Sequence, residues 1–202
     1  METFNMKVMW MVVKIISLLF AGILLGLLLY PIPATLSLPT GPRPGVTKLT
    51  ISQAARQLRQ TGAAGWALVE AARALVAGRM HYCRRNSFDR ADKAFERGYG
   101  YCQQQSYALA DLLNRLGFEA RVVGAFRNRL PDGRVGGHAW VRVTVDGETR
   151  HIDTLHYDAE ASEITFTPLT KIFQYTFGTR IFYGLGSAAV NAHRYYLTGK
   201  DR

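Results

Sequence analysis

Only two cysteines stand among the 202 residues, far too few for the disulfide-dense frameworks of small secreted domains. No Cys/His spacing has the form of a structural zinc site, so ordinary packing must supply the stability. The chain also lacks internal repeats and low-complexity segments. Acidic side chains are scarce: 15 Asp+Glu against 25 Lys+Arg leave a net charge of +10. That balance favours contact with phosphates, anionic lipid or an acidic substrate without choosing among them. What is abundant is apolar surface. Hydrophobic residues make up 48%, charged residues 20% and aromatics 11%, which excludes a disordered or collagen-like chain. Measured against ~150 residues per domain, the length gives one domain with an appendage.

The appendage is at the N-terminus. From residue 8 to residue 30 the sequence is predominantly apolar and Lys14 is its one charged residue. A helix of about 20 such residues spans the ~30 Å hydrocarbon layer, and the stem of Lys14 can snorkel to the headgroups. A cleaved secretory signal would have an apolar region of roughly 7 to 15 residues ending in a small-x-small site, and Pro31-Ile32-Pro33-Ala34 is a poor one. We therefore expect an uncleaved single-pass membrane anchor over residues 1–30. Lys7 and Lys14 on one side balance Arg43 and Lys48 on the other, so the positive-inside rule finds almost no asymmetry. A short tail followed at once by an apolar run favours export of the remainder, hence an extracytoplasmic domain, periplasmic if the source is bacterial. Residues 31–48, with Pro31, Pro33, Pro39, Pro42 and Pro44, read as a semi-rigid extended spacer. Residues 49–202 form the domain.

Within it, residues 50–80 suit two helices broken near Thr61-Gly62, one with the stripe Ile51, Ala54, Ala55 and Leu58, the other with Leu68, Ala71, Ala72 and Leu75. Residues 84–100 read as a loop. Residues 101–116 turn helical, with Leu109, Leu112, Leu113 and Leu116 on one stripe and Gly117 as the stop. Beyond it the period changes to two: residues 120–126 and 138–145 suit strands, Pro131-Asp132-Gly133 a turn, Asp146-Gly147 a two-residue hairpin, and residues 148–155 the returning strand. Helices followed by a meander of strands describe an α+β fold, with helices packed on one side of an antiparallel sheet. The aromatic tail, residues 164–202, reads as further packing around the core, with a membrane-facing surface as the sharper alternative.

Cys102 begins the 101–116 helix, directly after Gly98-Tyr99-Gly100. A helix N-terminus carries partial positive charge and unpaired N–H groups, which favour thiolate over thiol and can hold an oxyanion. The glycines let the backbone approach a substrate closely. On its own Cys102 suits a buried structural thiol better, but its surroundings alter the balance. Strand alternation places His138, Trp140, Arg142 and Thr144 on one face. If Asp146-Gly147 forms a two-residue turn, Val145 faces Glu148 and Trp140 faces Asp153. His138 and Asp153 are then diagonal neighbours, roughly 7 to 8 Å apart at the backbone, which side chains can bridge. A slip of one residue would separate them onto opposite faces. The register thus yields a base and its orienter, and Cys102 is the natural nucleophile.

These residues resemble the transglutaminase-like superfamily of cysteine enzymes, whose core is papain-like. The matching stretch is GYGYCQQQSYALADLLNRLGFEARVVGAF, then GHAWVRV, then RHIDTL, within residues 98–155. The resemblance implies Cys102 as nucleophile, His138 as its base and Asp153 as the residue orienting His138. Members often carry an aromatic residue just after the cysteine, where this chain has Gln103, Gln104 and Gln105. The backbone N–H of Cys102 is the one oxyanion donor the sequence identifies. Arg121 and Trp140 are matched positions that suit packing.

Other candidates rank lower. A Cys83–Cys102 disulfide would silence the nucleophile. His151 shares the face of His138 as a decoy, while His81, His156 and His193 lack a motif. Gly184-Leu185-Gly186 is too short for a phosphate loop. Arg84, Arg85, Arg127, Arg129 and Arg134 suit a solvated face, and without a nucleic-acid fold signature, binding of RNA or DNA is not expected. The expectation is a membrane-anchored thiol peptidase or amidase, with acyl transfer as a variant, acting on a peptide or protein substrate and needing no cofactor. Its rivals are a catalytically silent peptide-binding module and a dedicated leader-peptide protease.

Overall fold

The structure, a computed structural model, describes residues 6–38, 42–87 and 89–200. The apolar N-terminal segment forms α1 (Met6–Leu29). The stretch Val8–Ala34 is long and apolar enough to cross a membrane or to serve as a signal sequence, and none of its most apolar window is buried inside the fold. The spacer is not extended throughout. A single helical turn, α2 (Ile32–Leu36), interrupts it, with Pro33 in the first turn, where its missing N–H breaks no helix bond. Pro39 lies outside the described residues.

Two helices follow as expected, α3 (Ile51–Gln60) and α4 (Gly65–Arg79). Thr50 and Gln53 form a reciprocal capping box that starts α3. The buried stripe of α4 is Leu68, Val69, Ala72 and Val76, so Ala71 and Leu75 stand at its edge. Residues 84–100 are not a plain loop. They hold α5 (Ala91–Arg97), which follows β1 (His81–Tyr82) and precedes β2 (Tyr99–Gly100), its parallel partner. The helix escapes a periodicity search because only Ala94 and Phe95 anchor it among charged neighbours. Gly98 ends it in the left-handed region at φ 75°, where a Cβ would also lie 3.1 Å from the Arg79 carbonyl oxygen.

At the centre lies α6 (Cys102–Leu116), stopped by Gly117 at φ 101°. It packs on an antiparallel sheet of β3 (Glu119–Arg129), β4 (Val135–Val145) and β5 (Glu148–Ile152), with β8 (Thr167–Pro168) and β9 (Phe173–Gln174) added along β3. A separate small pair joins β6 (Tyr157–Asp158) to β7 (Glu163–Ile164). Asp146 (φ 49°) and Gly147 (φ 85°) make the two-residue turn, and Val145 pairs with Glu148. Both central residues having positive φ is the mark of the turn whose twist matches a hairpin. The architecture is α+β.

The main core lies between helices and sheet, joining Leu109, Leu112 and Leu113 of α6 to Val141 and Val143 of β4. A smaller cluster of Val123, Ala125, Trp140 and Phe166 occupies the sheet's other face. Finally α7 (Phe177–Thr198), capped by Thr176, leads from the sheet edge back to the N-terminal segment. There the Tyr196 hydroxyl donates to the Tyr30 carbonyl (2.9 Å) and accepts from the Ala34 N–H (3.1 Å). Gly184-Leu185-Gly186 is ordinary helix within α7. Of the tail aromatics, Phe173 and Tyr183 stack near Phe126, while Phe177 and Phe182 remain exposed.

Candidate active site

Cys102 is the first residue of α6, with Tyr101 at the N-cap, so its backbone N–H has no partner within the helix. Ser106, one turn later, places its hydroxyl 2.8 Å from the Cys102 carbonyl and 2.9 Å from that of Ala139. This fastens the start of α6 to β4 beside His138. Cys102 and Cys83 are both buried, and no disulfide joins them.

His138 belongs to the last regular pair of β3 and β4: Ala125 faces His138, but Asn128 faces Gly136. Such a register shift bends a strand and re-aims its side chains. The His138 Nε2 lies 2.8 Å from Asp153 Oδ2, and the ring also interacts with the Cys102 thiol. With Nε2 on the carboxylate, Nδ1 is the nitrogen left for sulfur. Burial alone would push the imidazole down. The Asp153 charge and hydrogen bond, aided by Cys102, outweigh it and raise His138 to about 10.

Asp153 is 1% exposed. Its carboxylate accepts backbone N–H groups from Thr154 and His156, each at 2.9 Å, besides the imidazole. Burial pushes this carboxyl up, and the His138 charge with these donors more than reverses it, leaving it below the ordinary range. The hairpin register that pairs Val141 with Ile152 sets Asp153 next to Trp140 along the strand, as the counting from Asp146-Gly147 requires.

Sequence reasoning missed several neighbours. Gln105 is fully buried; its Nε2 donates to the Gly100 carbonyl (3.1 Å) and its Oε1 accepts from the Thr154 hydroxyl (2.9 Å). It thereby links the residues before Cys102 to those after Asp153. Phe166 stands edge-on to His138 with ring centroids 5.0 Å apart, and Trp140 lies nearly parallel to His138 at 6.2 Å. His156 also meets the His138 ring edge-on, at 5.4 Å. Burial first, then the His138 charge, hold His156 below its usual value. Trp140 stands on the face of His138 as strand alternation requires, and the position of Gln105, three residues beyond Cys102 in a helix, was a hint in the sequence; Phe166 and His156 depend on distant loops. His151 is occupied elsewhere, its Nδ1 accepting the Trp140 indole N–H at 2.6 Å. The glycines before Cys102 serve the fold: Gly98 caps α5, and a Cβ on Gly100 would collide with the Met80 side chain.

Cys102, His138 and His156 line a cleft of about 1440 Å³, walled by α7 opposite the sheet. Arg43, Arg84, Arg134 and Arg194 reach its lining, to which no carboxylate among the described residues contributes. Such a cleft suits an extended, electron-rich ligand. No group of His, Cys, Asp and Glu among the described residues could hold a metal ion.

Comparison with solved structures finds a Cytophaga hutchinsonii protein described as a candidate cysteine protease. It is 13% identical over 64% of this chain and 51% of that one, with a TM-score of 0.43. A structure described as a TGase is 22% identical over 52% of this chain and 30% of its own, with a TM-score of 0.40. The chain thus spans about half of the first and under a third of the second, and similarity at this level carries no argument about function. No curated protein matches significantly. A family model does match, over residues 52–154, just over half of the chain. By that match the chain belongs to the transglutaminase-like superfamily.

Proposed function

We propose that the chain is a thiol-dependent enzyme acting on an amide or peptide carbonyl, with Cys102 as nucleophile, His138 as acid and base, and Asp153 as the group that orients His138. The observation that carries this reading is the His138 ring, held 2.8 Å from a buried carboxylate while it interacts with the thiol at the start of α6. In the first step the Cys102 sulfur, with the proton resting on His138, attacks the carbonyl carbon. The imidazolium then gives that proton to the departing amine as the C–N bond breaks, leaving a thioester. Water, deprotonated by His138, attacks the thioester and restores the thiol; an amine in its place gives transfer. Hydrolysis is the primary reading and acyl transfer its variant. The cleft's size and its arginines suit a peptide segment with carboxylates near the reacting bond.

The apolar α1, exposed along its length, is read as a single-pass anchor with the domain on the extracytoplasmic side. Protease treatment of spheroplasts tests this: digestion of the domain is expected, and protection would place it inside. The chemistry is tested by iodoacetamide across pH 5 to 9 with the labelled cysteine mapped. Preferential labelling of Cys102 at low pH, lost in His138→Ala, is the expected result. Equal, slow labelling of Cys83 and Cys102 would instead identify a binding module without catalysis.

A further inference from the structure

The family match ends at residue 154, yet α7, far beyond it, forms a wall of the cleft that contains Cys102. On that wall Asn191 is 3% exposed. Its amide lies against the Tyr101 phenol, which in turn touches the Cys102 thiol. Its Nδ2 nevertheless makes no hydrogen bond of acceptable geometry. A buried amide nitrogen whose near acceptor, the Tyr101 phenol oxygen, is met only at poor geometry is under-satisfied, and such groups are rare in folded proteins. The shortfall is explained if a better acceptor arrives with a ligand.

An attack by sulfur on a carbonyl creates that acceptor. As the tetrahedral adduct forms, the carbonyl oxygen gains negative charge and requires donors fixed in advance. The Cys102 N–H at the start of α6 supplies one. The three glutamines that follow it each have their Nε2 drawn to an acceptor elsewhere: Gln103 to the Tyr175 hydroxyl (3.5 Å), Gln104 to the Asp89 carbonyl (3.2 Å) and Gln105 to the Gly100 carbonyl (3.1 Å). The other buried orphan donor on the cleft wall, Arg43 Nε, belongs to a guanidinium seated on the Gly78 carbonyl at the end of α4. We propose that Asn191 is the second oxyanion donor, its Nδ2 sharing the developing charge with the Cys102 backbone N–H. This rests on Cys102 being the nucleophile. It also gives the contact between α7 and the N-terminal segment a purpose, since Tyr30 and Ala34 hold Tyr196, little more than one turn beyond Asn191.

Two probes on the full chain in detergent separate the roles. With p-nitrophenyl acetate, sulfur forms a bond to the acetyl carbon, the C–O bond breaks and p-nitrophenolate departs, by way of an oxyanion. With iodoacetamide, sulfur displaces iodide from carbon and no oxyanion forms. In Asn191→Ala the acylation rate is expected to fall about 10² to 10³-fold, while the alkylation rate of Cys102 stays within about twofold. Asn191→Asp, equal in shape but without the N–H, should lose at least as much. Acylation unchanged in both variants overturns the assignment while leaving Cys102 as nucleophile. Acylation and alkylation falling together would show a structural role and overturn it as well. If the wild-type Cys102 resists both reagents, the assignment falls together with the thiol-enzyme reading.

Discussion

The two faces of the central sheet are built on opposite principles. Beneath α6 the contacts are mainly apolar, with Ala139, Val141 and Val143 packed against Leu109, Leu112 and Leu113. On the other face, Trp140 and Phe166 surround a polar set, His138, Asp153, His151 and His156, whose members are engaged with one another, with backbone or with the Trp140 indole. The first face gains stability from every buried methylene. The second removes an imidazole and a carboxylate from water, so their mutual attraction largely offsets a desolvation penalty. Stability and reactivity should therefore separate when the two faces are altered.

The largest effect is expected from Asp153→Ala. It leaves His138 buried without its counter-charge, a loss of about 3 to 5 kcal/mol in urea unfolding, together with loss of the low-pH labelling of Cys102. On the apolar face, Leu112→Ala should cost about 2 to 5 kcal/mol while the folded protein labels at the wild-type rate. A labelling defect there would erase the contrast between the faces. Between the two regions lies Gly124, where a Cβ would stand 2.8 Å from the Tyr175 ring and 2.9 Å from the His138 carbonyl oxygen. Gly124→Ala should cost about 1 to 3 kcal/mol by overpacking and should shift Tyr175 fluorescence or near-UV circular dichroism.

The pH dependence sharpens the same contrast. His138 is raised from 6.5 to about 10, so its contribution is fully present below 6.5 and is lost as pH rises through about 10. Asp153 is lowered, so its contribution holds above its unfolded value of 3.8 and is lost as pH falls below that. The stability difference between wild type and His138→Gln should accordingly shrink between pH 7 and pH 10, whereas that between wild type and Leu112→Ala should stay level. Thermal unfolding at successive pH values measures both. The smallest effect belongs to the exposed Asp111 and Arg115 pair, 3.0 Å apart along α6. Asp111→Ala should change stability by no more than about 0.5 kcal/mol.

Local signals served well where one element declared itself. The period of α6 with its stop at Gly117 and the turn at Asp146-Gly147 are both short-range, and their physics is contained within a few residues. α5 lacked such a signal, because two buried side chains among charges do not set a period. Likewise, alternation along β4 places His138 on the face of Trp140, but the pairing shift just beyond it, which decides where the ring points, is a property of two strands together.

The sequence by itself determined the long apolar segment, the helix that opens on Cys102 and the hairpin register that makes His138 and Asp153 diagonal neighbours, since each follows from periodicity or turn chemistry within one segment. Only the tertiary structure decided that the imidazole meets the thiol, that Gln105 joins the two loops flanking them, and that α7 brings Asn191 to the cleft. Those contacts join residues far apart along the chain, and side-chain packing between separate elements, unlike backbone period, is not encoded in any one of them.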